Sequence, residues 1–459
     1  MTSYEELFEK RLTRRQLVRT AAGAGGALAA GPLLAACGGG EEEKPSTGGG
    51  GGEGGFKGSG KVVIGAFEDG ALVPFKQAII PLFERETGIK LEFLEDEYGT
   101  FFEKAFNDAQ TGAGQYDVYI LDDPWVPQFA AAETLEDLGA GGLEADEDFI
   151  PVFIQMGFFP PKQGPRVKGF EDAEPKLVAS PFVGDLQTLT YRNDVFTDGP
   201  PEMWDALVST AKAAVGSGKI KYGYVFRGVA GNPIVTSWYP VFLCFGGRFF
   251  DDKWNPTWND EKGKAATDFF VGTLKSLAPP GVVEFDSDQE GAAILGGKAA
   301  AVIQYSGNAL KSDDASESKV PGKLDFAVVP KQQEAKAQVG IFISGVPKSA
   351  PNKENALKFV RWFAQNRIQI ELARAGALPV KRPAFEDPQA AKKNRLTPVA
   401  LEQLDAGAEP RPRTPDWAKV EEILGIQLNN ALQRGETGNA LDRAAEEARS
   451  YLDQQGYYG

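Results

Sequence analysis

The stretch KVVIGAF, Lys61 to Phe67, decides the fold predicted for this chain. Its apolar residues run on without alternation, which predicts a strand buried on both faces. A helical pattern beginning at Phe75 follows, then a second strand over 89–94, a second helix over 101–109 and a third strand over 118–121. Strands that alternate with helices predict a parallel sheet with helices on both sides, and therefore an α/β fold.

Acidic residues follow two of these predicted strands. Glu68 and Asp69 come directly after the first strand, and Asp122 and Asp123 come after the third. Ligands of open parallel sheets bind at the carboxyl ends of the strands, so we expect these carboxylates to contact a ligand. Asp123 followed by Pro124 also fits the cap and first residue of a helix. The two interpretations are compatible, because a cap at a strand end faces the same crevice.

Composition excludes several classes of function. The chain has 459 residues, and the part from Lys61 onward is long enough for two domains of about 200 residues. A net charge of −15 argues against nucleic acid and anionic membrane surfaces as partners. The absence of histidine removes Ser-His-Asp and Cys-His catalysis and most transition-metal sites. We expect no metal and no cofactor, while carboxylate-only chemistry such as glycoside hydrolysis stays open.

The N-terminal region has the organisation of an export signal. Basic residues between Lys10 and Arg19 precede an Ala- and Gly-rich apolar run over 21–36. The pair Arg14-Arg15 looks like a twin-arginine motif, although the general secretory route is not excluded. LAAC, ending at Cys37, resembles a lipoprotein box. Residues 1–37 are thus predicted to be a lipoprotein signal, with lipid attached to Cys37, and residues 38–60 a flexible Gly/Glu tether.

The folded part resembles the extracellular solute-binding proteins of bacterial ABC importers, in their carbohydrate-binding group. Coverage is nearly the whole predicted mature chain, and no single motif is diagnostic, but the segments occur in the family's order. They are PLFERETGIKLEF, YDVYILDDPWVPQFAAAETLEDL, ASPFVGDLQTLTYRNDVF, LCFGGRFFDD, LGGKAAAVIQYSGN, VPKSAPNKENALKFVRWF, RAGALPVKRPAF and ETGNALDRAAEEARSYL.

The resemblance implies a two-lobed, periplasmic-binding-protein-like (type II) fold whose hinge consists of three crossovers. By analogy with maltose-binding proteins, these fall near Phe182–Asp185, Val329–Lys331 and Val380–Lys381. Lobe 1 is then predicted to be 61–182 plus 332–380, and lobe 2 to be 183–331 plus 381–459.

The resemblance also implies a set of ligand contacts. Sugar hydroxyls pair with carboxylates and amides, and a sugar ring prefers an aromatic plate. The stacking tryptophan of maltose-binding proteins aligns near Gly307, which argues against maltodextrin and leaves Tyr305 as the substitute. The predicted ligand-binding residues are Glu68, Asp69, Asp122, Asp123, Trp125, Asp185, Asn232, Thr236, Trp238, Gln304, Tyr305, Ser306 and Trp417.

The function implied is a membrane-anchored receptor, a monomer and not an enzyme, that delivers a mono- or oligosaccharide to a membrane permease. A polyol or polyamine is the alternative ligand, since a carboxylate-lined cleft with aromatic walls also suits a cation. A secreted glycoside hydrolase needs two carboxylates facing one bond. Asp122 and Asp123 make a poor pair for it, because adjacent strand residues point to opposite faces.

Overall fold

The computed structural model describes residues 56–437 and 439–458. The predicted signal with Cys37, and residues 38–55 of the predicted tether, lie outside the described residues. The end of that predicted tether is part of the folded body: the Gly58 main-chain N–H donates to Thr87 O at 2.9 Å, and Phe56 packs against the first hydrophobic core. Residues 56–60 therefore belong to the folded body, and the tether predicted to extend to Gly60 ends before Phe56.

The strands form two main sheets. The first sheet has the order β2-β1-β3-β11-β6, and the second has the order β8-β7-β9. Two small pairs, β4-β5 and β10-β12, lie outside them. The strands are β1 (Lys61–Phe67), β2 (Lys90–Asp96), β3 (Val118–Asp122), β4 (Phe158–Phe159), β5 (Lys176–Leu177), β6 (Ser180–Val183), β7 (Thr188–Arg192), β8 (Ala301–Gln304), β9 (Leu324–Ala327), β10 (Ala337–Val339), β11 (Phe342–Gly345) and β12 (Ala408–Pro410).

The parallel core of the first sheet confirms the prediction made from KVVIGAF. β1 pairs in parallel with β2 and with β3, whereas β11 runs antiparallel to β3 and to β6. Six of the seven β1 residues are buried, as expected for a strand covered on both faces. Gly65 is required within it, because a Cβ there would lie 2.6 Å from a Tyr116 ring carbon and 2.8 Å from Phe101.

The helices cover both sheets. A π-helical turn over Phe75–Ile79 leads into the first helix, which Gly88 ends in the left-handed conformation at φ 81°. The helices are α1 (Ile80–Thr87), α2 (Tyr98–Thr111), α3 (Val126–Ala131), α4 (Pro151–Gln155), α5 (Trp204–Gly216), α6 (Asn232–Cys244), α7 (Glu261–Asp268), α8 (Lys275–Leu277), α9 (Ser287–Leu295), α10 (Ser306–Ala309), α11 (Lys353–Phe363), α12 (Asn366–Ala375), α13 (Arg382–Phe385), α14 (Pro388–Lys393), α15 (Leu396–Ala406), α16 (Trp417–Arg434) and α17 (Ala440–Gln454).

Each sheet has its own hydrophobic core, and the chain crosses between the two. The first core surrounds β1, β3 and β11, and the second lies among α5, α6, α16 and α17. The chain leaves the first sheet at Val183 and enters the second at Thr188, next to the first predicted crossover. It returns between the end of β9 and the start of β11, a span that includes the second predicted crossover.

The third crossover is more extended than predicted. Val380 belongs to the first core, as expected, but Phe385, Leu396 and Ala400 belong to it as well. Helix α15 also contacts β7 and β9 of the second sheet. The chain after Val380 therefore connects the two lobes as far as α15, instead of entering lobe 2 at once.

Candidate functional site

The first crossover places a carboxylate between the two sheets. Asp185 lies between β6 of the first sheet and β7 of the second. Its Oδ1 accepts a hydrogen bond from the Ser306 main-chain N–H at 2.8 Å, and its carbonyl accepts one from Gly340 N at 3.1 Å. The predicted contacts Asp185 and Ser306, which are distant in sequence, are thus brought together.

Burial changes the acidity of this carboxylate. Desolvation raises the pKa of Asp185 to about 8, the nearby Asp69 carboxylate adds to the rise, and hydrogen bonds from Ser306 oppose it. Desolvation also raises the pKa of Asp69, while the Ala71 main-chain N–H lowers it through a 2.7 Å hydrogen bond. Asp185 therefore exists largely in its neutral form near pH 7, when a carboxyl group can both donate and accept hydrogen bonds.

Three buried amides and one hydroxyl lie on the chain segments that meet at Asp185, and we call them the crossover amide cluster: Gln187, Gln304, Tyr305 and Gln338. The Gln187 main-chain N–H donates to the Gln338 main-chain carbonyl at 3.0 Å. Thr188, the next residue, pairs with Gln304 between strands β7 and β8. Within the described part of the chain, the Oε1 atoms of Gln187 and Gln304, both amide atoms of Gln338 and the Tyr305 hydroxyl lack a hydrogen-bond partner.

Unpartnered buried polar atoms are costly, at about 1–3 kcal/mol each. Gln304 does use its Nε2, which donates to Thr190 Oγ1 at 3.0 Å, and Gln187 Nε2 donates to Thr236 O at 2.8 Å. The remaining acceptors and donors are candidates for hydrogen bonds to a polar ligand. Native proteins satisfy most such groups, so their concentration at one place marks a site.

The second cluster of the site is ionic, and we call it the arginine–aspartate cluster: Asp122, Asp123, Arg411 and Arg413. Arg411 Nη2 donates to Asp122 Oδ1 at 2.6 Å and also to Asp123 Oδ1, and its Nη1 donates to Asp122 Oδ2 at 3.1 Å. Arg413 Nη1 donates to Asp123 Oδ2 at 3.3 Å. Tyr98 adds a 2.7 Å hydrogen bond from its hydroxyl to Asp122 Oδ2.

This cluster corrects the expected role of Asp123 as a helix cap. The short 3₁₀ helix after β3 spans Asp123–Trp125, and its capping position is Asp122, whose side chain makes no capping bond. Asp123 is fully buried, and desolvation raises its pKa to about 6, against the lowering effect of Arg411. Burial lowers the pKa of Arg413 to about 10. Asp123 and Arg413 are therefore both charged at neutral pH.

Sequence reasoning missed both arginines. Arg411 and Asp122 are 289 residues apart, and no local pattern connects them. The available signal was the sequence Arg-Pro-Arg-Thr-Pro, which places two arginines beside prolines just before helix α16 of an acidic chain. Prolines stiffen such a segment, and buried arginines need carboxylate partners.

A third group lies at the start of α6 and includes two predicted residues. Arg227 Nη1 donates to Thr236 Oγ1 at 3.2 Å, and Asn232 Nδ2 donates to Glu421 Oε1 at 3.1 Å. Burial raises the pKa of Glu421 to about 7, and the charge of Arg411 lowers it. This electrostatic coupling to Arg411 connects the start of α6 with the arginine–aspartate cluster.

The structure does not bring the predicted tryptophans to the site. Trp238 and Trp417 have no exposed surface: the Trp238 Nε1 donates to Thr267 Oγ1 at 2.9 Å, and Trp417 packs edge-on against Phe249. A ring without an exposed face has no surface on which a sugar can stack, so we remove both from the candidate site. They lie on helices whose neighbouring residues are also buried, which explains their place in the core.

The other two predicted residues behave differently. Trp125 lies at the strand end but is 8% exposed, enclosed by the rings of Phe67, Tyr98 and Phe102. Glu68 is exposed, and its main-chain N–H donates to Asp96 O at 2.9 Å. Neither belongs to the two clusters described above.

The arrangement suits hydrogen bonding to a polar solute. Among the described residues there is no group of three or more His, Cys, Asp or Glu side chains that could hold a metal ion. Over the same residues no helix combines the length and apolar character that crossing a membrane requires. The site offers amides, hydroxyls, a largely neutral carboxyl group and paired charges, which are the polar groups that orient small ligands in proteins.

Comparison with known proteins agrees with the two-lobed architecture. A crystal structure of an ABC transporter solute-binding protein from Agrobacterium radiobacter in complex with ribitol has a TM-score of 0.71 and 25% identity, covering 86% of this chain and 99% of that one. The maltose-bound MalE3 of T. maritima has a TM-score of 0.73 and 22% identity, covering 85% of this chain and 100% of that one. The predicted two-lobed α/β fold is confirmed.

Curated relatives are of the same kind. A probable amino-acid ABC transporter periplasmic-binding protein of Sinorhizobium fredii is 22% identical over 82% of this chain and 85% of its own length. A mannitol-binding protein of Pseudomonas aeruginosa is 27% identical over 61% of this chain and 63% of its own length. The model of the family described as bacterial extracellular solute-binding protein matches residues 69–370. The chain belongs to this family of ABC-importer solute-binding proteins.

Proposed function

We propose that the protein is a membrane-anchored extracytoplasmic receptor that binds a sugar or a polyol between its lobes and delivers it to an ABC importer. It is proposed to act as a monomer and without catalysis. Lipid at Cys37 would hold it at the outer face of the cytoplasmic membrane, and a permease with its ATPase would be the partner.

The observation that carries the proposal is the crossover amide cluster. Its unpartnered atoms include both donors and acceptors, and Asp185 beside it is largely neutral at pH 7. A polyhydroxylated molecule offers donors and acceptors in alternation, so it can satisfy amides, hydroxyls and a carboxyl group at once. A ligand that completes these hydrogen bonds removes the cost of leaving them unmade.

The charges favour a neutral solute over a polyamine. Asp122 and Asp123 are the carboxylates that a cation would seek, yet both are paired with Arg411, which is 4% exposed. A polyamine would have to displace a buried arginine or share its carboxylates, at the cost of an uncompensated buried charge. Relatives and structural neighbours that carry mannitol, ribitol or maltose in their names support the same class of solute.

Lobe closure is the proposed mechanism. The cleft residues come from segments on both sides of the crossovers, so the hydrogen bonds of one solute would span the two lobes. A ligand that contacts both lobes binds the closed arrangement better than an open one, and it shifts the population toward the closed form by that difference. The permease would then recognise the closed form.

Thermal unfolding against a panel of solutes tests the proposal. The panel holds mono-, di- and trisaccharides, linear polyols, amino acids and polyamines. A solute at 100 times its dissociation constant stabilises the protein by about 2.7 kcal/mol, which raises the unfolding midpoint by several degrees. We expect a shift with sugars or polyols, and recovery of the solute unchanged. A shift with polyamines or amino acids alone would contradict the proposal.

Two controls separate binding from other causes. Gln338→Leu removes the two unpartnered amide atoms and should abolish the shift, whereas Gln433→Leu, on the far part of α16, should keep it. Incubation with a chromogenic glycoside tests the hydrolase alternative, and release of the chromophore would favour an enzyme over a receptor.

A further inference from the structure

The hydroxyls of the two neighbouring tyrosines that follow α17 have different partners, although the Tyr457 ring also packs edge-on against Trp254. The Tyr457 hydroxyl donates to Asp416 Oδ2 at 2.9 Å and pairs with the Thr414 hydroxyl. The Tyr458 hydroxyl donates instead to Trp254 O at 2.6 Å. We call residues 411–416, which carry the two site arginines, the arginine segment. Of the two tyrosine hydroxyls, that of Tyr457 contacts this segment and that of Tyr458 does not.

Asp416 is held through both of its carboxylate oxygens. Tyr451 donates its hydroxyl to Oδ1 at 2.7 Å, opposite the Tyr457 contact on Oδ2. Asp416 is 7% exposed and stands at the capping position of α16, but its side chain makes no capping bond. Hydrogen bonds to a carboxylate are among the stronger ones in proteins, so the two hydroxyls fix the end of the arginine segment.

The arginine segment is short and stiff, so its two ends are mechanically connected. Thr414 N donates to Pro412 O at 3.1 Å, and Asp416 N donates to Thr414 Oγ1 at 3.2 Å. Pro412 and Pro415 restrict the backbone further. Because Tyr457 contacts Thr414 and Asp416, its hydroxyl constrains the two residues between the prolines, Arg413 and Thr414.

Arg413 carries this constraint to the first lobe. Its guanidinium donates to Asp123 Oδ2 at 3.3 Å, to Asp123 O and to the main-chain carbonyl of Met156. Asp123 follows β3, and Met156 follows α4, so these acceptors belong to elements of the first core. A chain of named contacts therefore runs from Tyr457 through the arginine segment to the strand end of lobe 1.

We infer that Tyr457 is a positioning residue of the candidate ligand site: it holds the arginine segment so that Arg413 and Arg411 meet the carboxylates of lobe 1. The inference rests on the proposed function only in taking the arginine–aspartate cluster as one wall of the ligand cleft. Tyr458, although adjacent, has no such role.

Hydrogen exchange of the full chain tests this without any ligand. In Tyr457→Phe, we expect amide exchange to be roughly fivefold faster in peptides covering 411–416 and 122–126, the factor that corresponds to losing a hydrogen bond worth about 1 kcal/mol. Tyr458→Phe removes a hydroxyl of equal size and should leave both peptides unchanged. Equal effects of the two substitutions, or no change at 122–126 in Tyr457→Phe, would overturn the inference.

A second comparison separates positioning from general loosening. In an Arg413→Gln background, Tyr457→Phe should still speed exchange over 411–416, but its effect over 122–126 should be smaller than in the unsubstituted protein, because Arg411 is then the one remaining arginine of the segment that contacts these residues. An undiminished effect at 122–126 would mean that Tyr457 acts through overall stability. The comparison of Tyr457→Phe with Tyr458→Phe decides the question by itself if Arg413→Gln does not fold.

Discussion

The two polar clusters of the cleft satisfy their buried groups in opposite ways. In the arginine–aspartate cluster, each carboxylate accepts several hydrogen bonds from arginines of the same chain. In the crossover amide cluster, polar atoms of equal burial have no partner among the described residues. The carboxylates of the first cluster are all paired within the chain, although Arg411 Nε and Arg413 Nε have no partner among the described residues, whereas the second cluster leaves most of its amide oxygens and its one hydroxyl unpaired. Substitutions in the two clusters should therefore have opposite effects on stability.

The largest expected effect is in the arginine–aspartate cluster. Asp123→Ala leaves Arg411 and Arg413 without a carboxylate at Asp123's buried position, and removing one partner of a buried ion pair typically costs about 3–5 kcal/mol. Urea unfolding measures the loss. Glu92→Ala, which breaks an exposed pair with Lys61, is the control and should leave the midpoint unchanged within error. Equal effects of the two substitutions would show that the buried ion cluster contributes no more to stability than an exposed ion pair.

The amide cluster should respond with the opposite sign. Gln338→Met removes two unpartnered polar atoms, so we expect the ligand-free protein to gain about 1–2 kcal/mol and to lose its solute-induced stabilisation. Gln369→Met is the matched control, because Gln369 is equally buried but donates to Phe363 O at 3.1 Å and accepts from Val380 N at 3.0 Å. It should lose about 1–3 kcal/mol. A loss at Gln338 as well would show that its amide already has a partner.

The pH dependence sharpens the comparison at Asp185. Its folded pKa, about 8, lies above the ordinary value of 3.8, so the native state binds more protons than the unfolded state between these values. The stability that this gives the ligand-free protein is present below pH 4 and is lost as the pH rises through 8. In Asp185→Asn, the free energy of unfolding should decline less steeply as the pH rises, by up to about 1.4 kcal/mol per pH unit. Urea unfolding from pH 4 to 8 measures this slope.

Asp387 provides the reference for this experiment. Arg374 lowers the pKa of Asp387 to about 2, so any stability from this pair is lost only as the pH falls below 4. Asp387→Asn should therefore leave the slope of the free energy of unfolding against pH unchanged between pH 4 and 8. An unchanged slope in Asp185→Asn would mean that Asp185 is ionised throughout the range.

The smallest effect is expected at Tyr98. Tyr98→Phe removes one hydrogen bond to Asp122 but keeps the ring that packs against Phe67 and Trp125, and Arg411 still pairs with that carboxylate. We expect a loss of about 1 kcal/mol in urea unfolding. A loss as large as that of Asp123→Ala would show that the hydroxyl, and not the guanidinium, is the main partner of Asp122.

Local pattern was sufficient to predict the first three strands of the fold and the two helices between them. The apolar runs of β1 and β3 and the helical spacing between them gave the parallel sheet, because burial and periodicity act within a short stretch. The carboxylates at the strand ends followed from the same pattern. The assignment of Asp185 and Ser306 to one ligand site, and the two-lobed architecture, came from resemblance to a family and not from the residues alone.

The rest of the site depends on contacts that no window of sequence contains. Arg413 and Asp123 are 290 residues apart, so the ion cluster was out of reach. The prediction for Trp238 and Trp417 was wrong for another reason. In a sequence, an aromatic residue beside polar neighbours is equally consistent with stacking on a sugar and with packing in the core. Only the burial of all neighbouring residues of Trp238 in α6 decides for the core.

The two partners of the arginine–aspartate cluster are synthesised at different times. Ribosomes add roughly 5–20 residues per second, and Arg411 follows Asp122 by 289 residues, so the arginine emerges about 15–60 s later. Until then Asp122 and Asp123 at the end of β3 lack the guanidiniums of Arg411 and Arg413, and the ion cluster cannot form. Completion of the arginine–aspartate cluster is thus one of the last events in the synthesis of the protein, whatever the speed of each folding step.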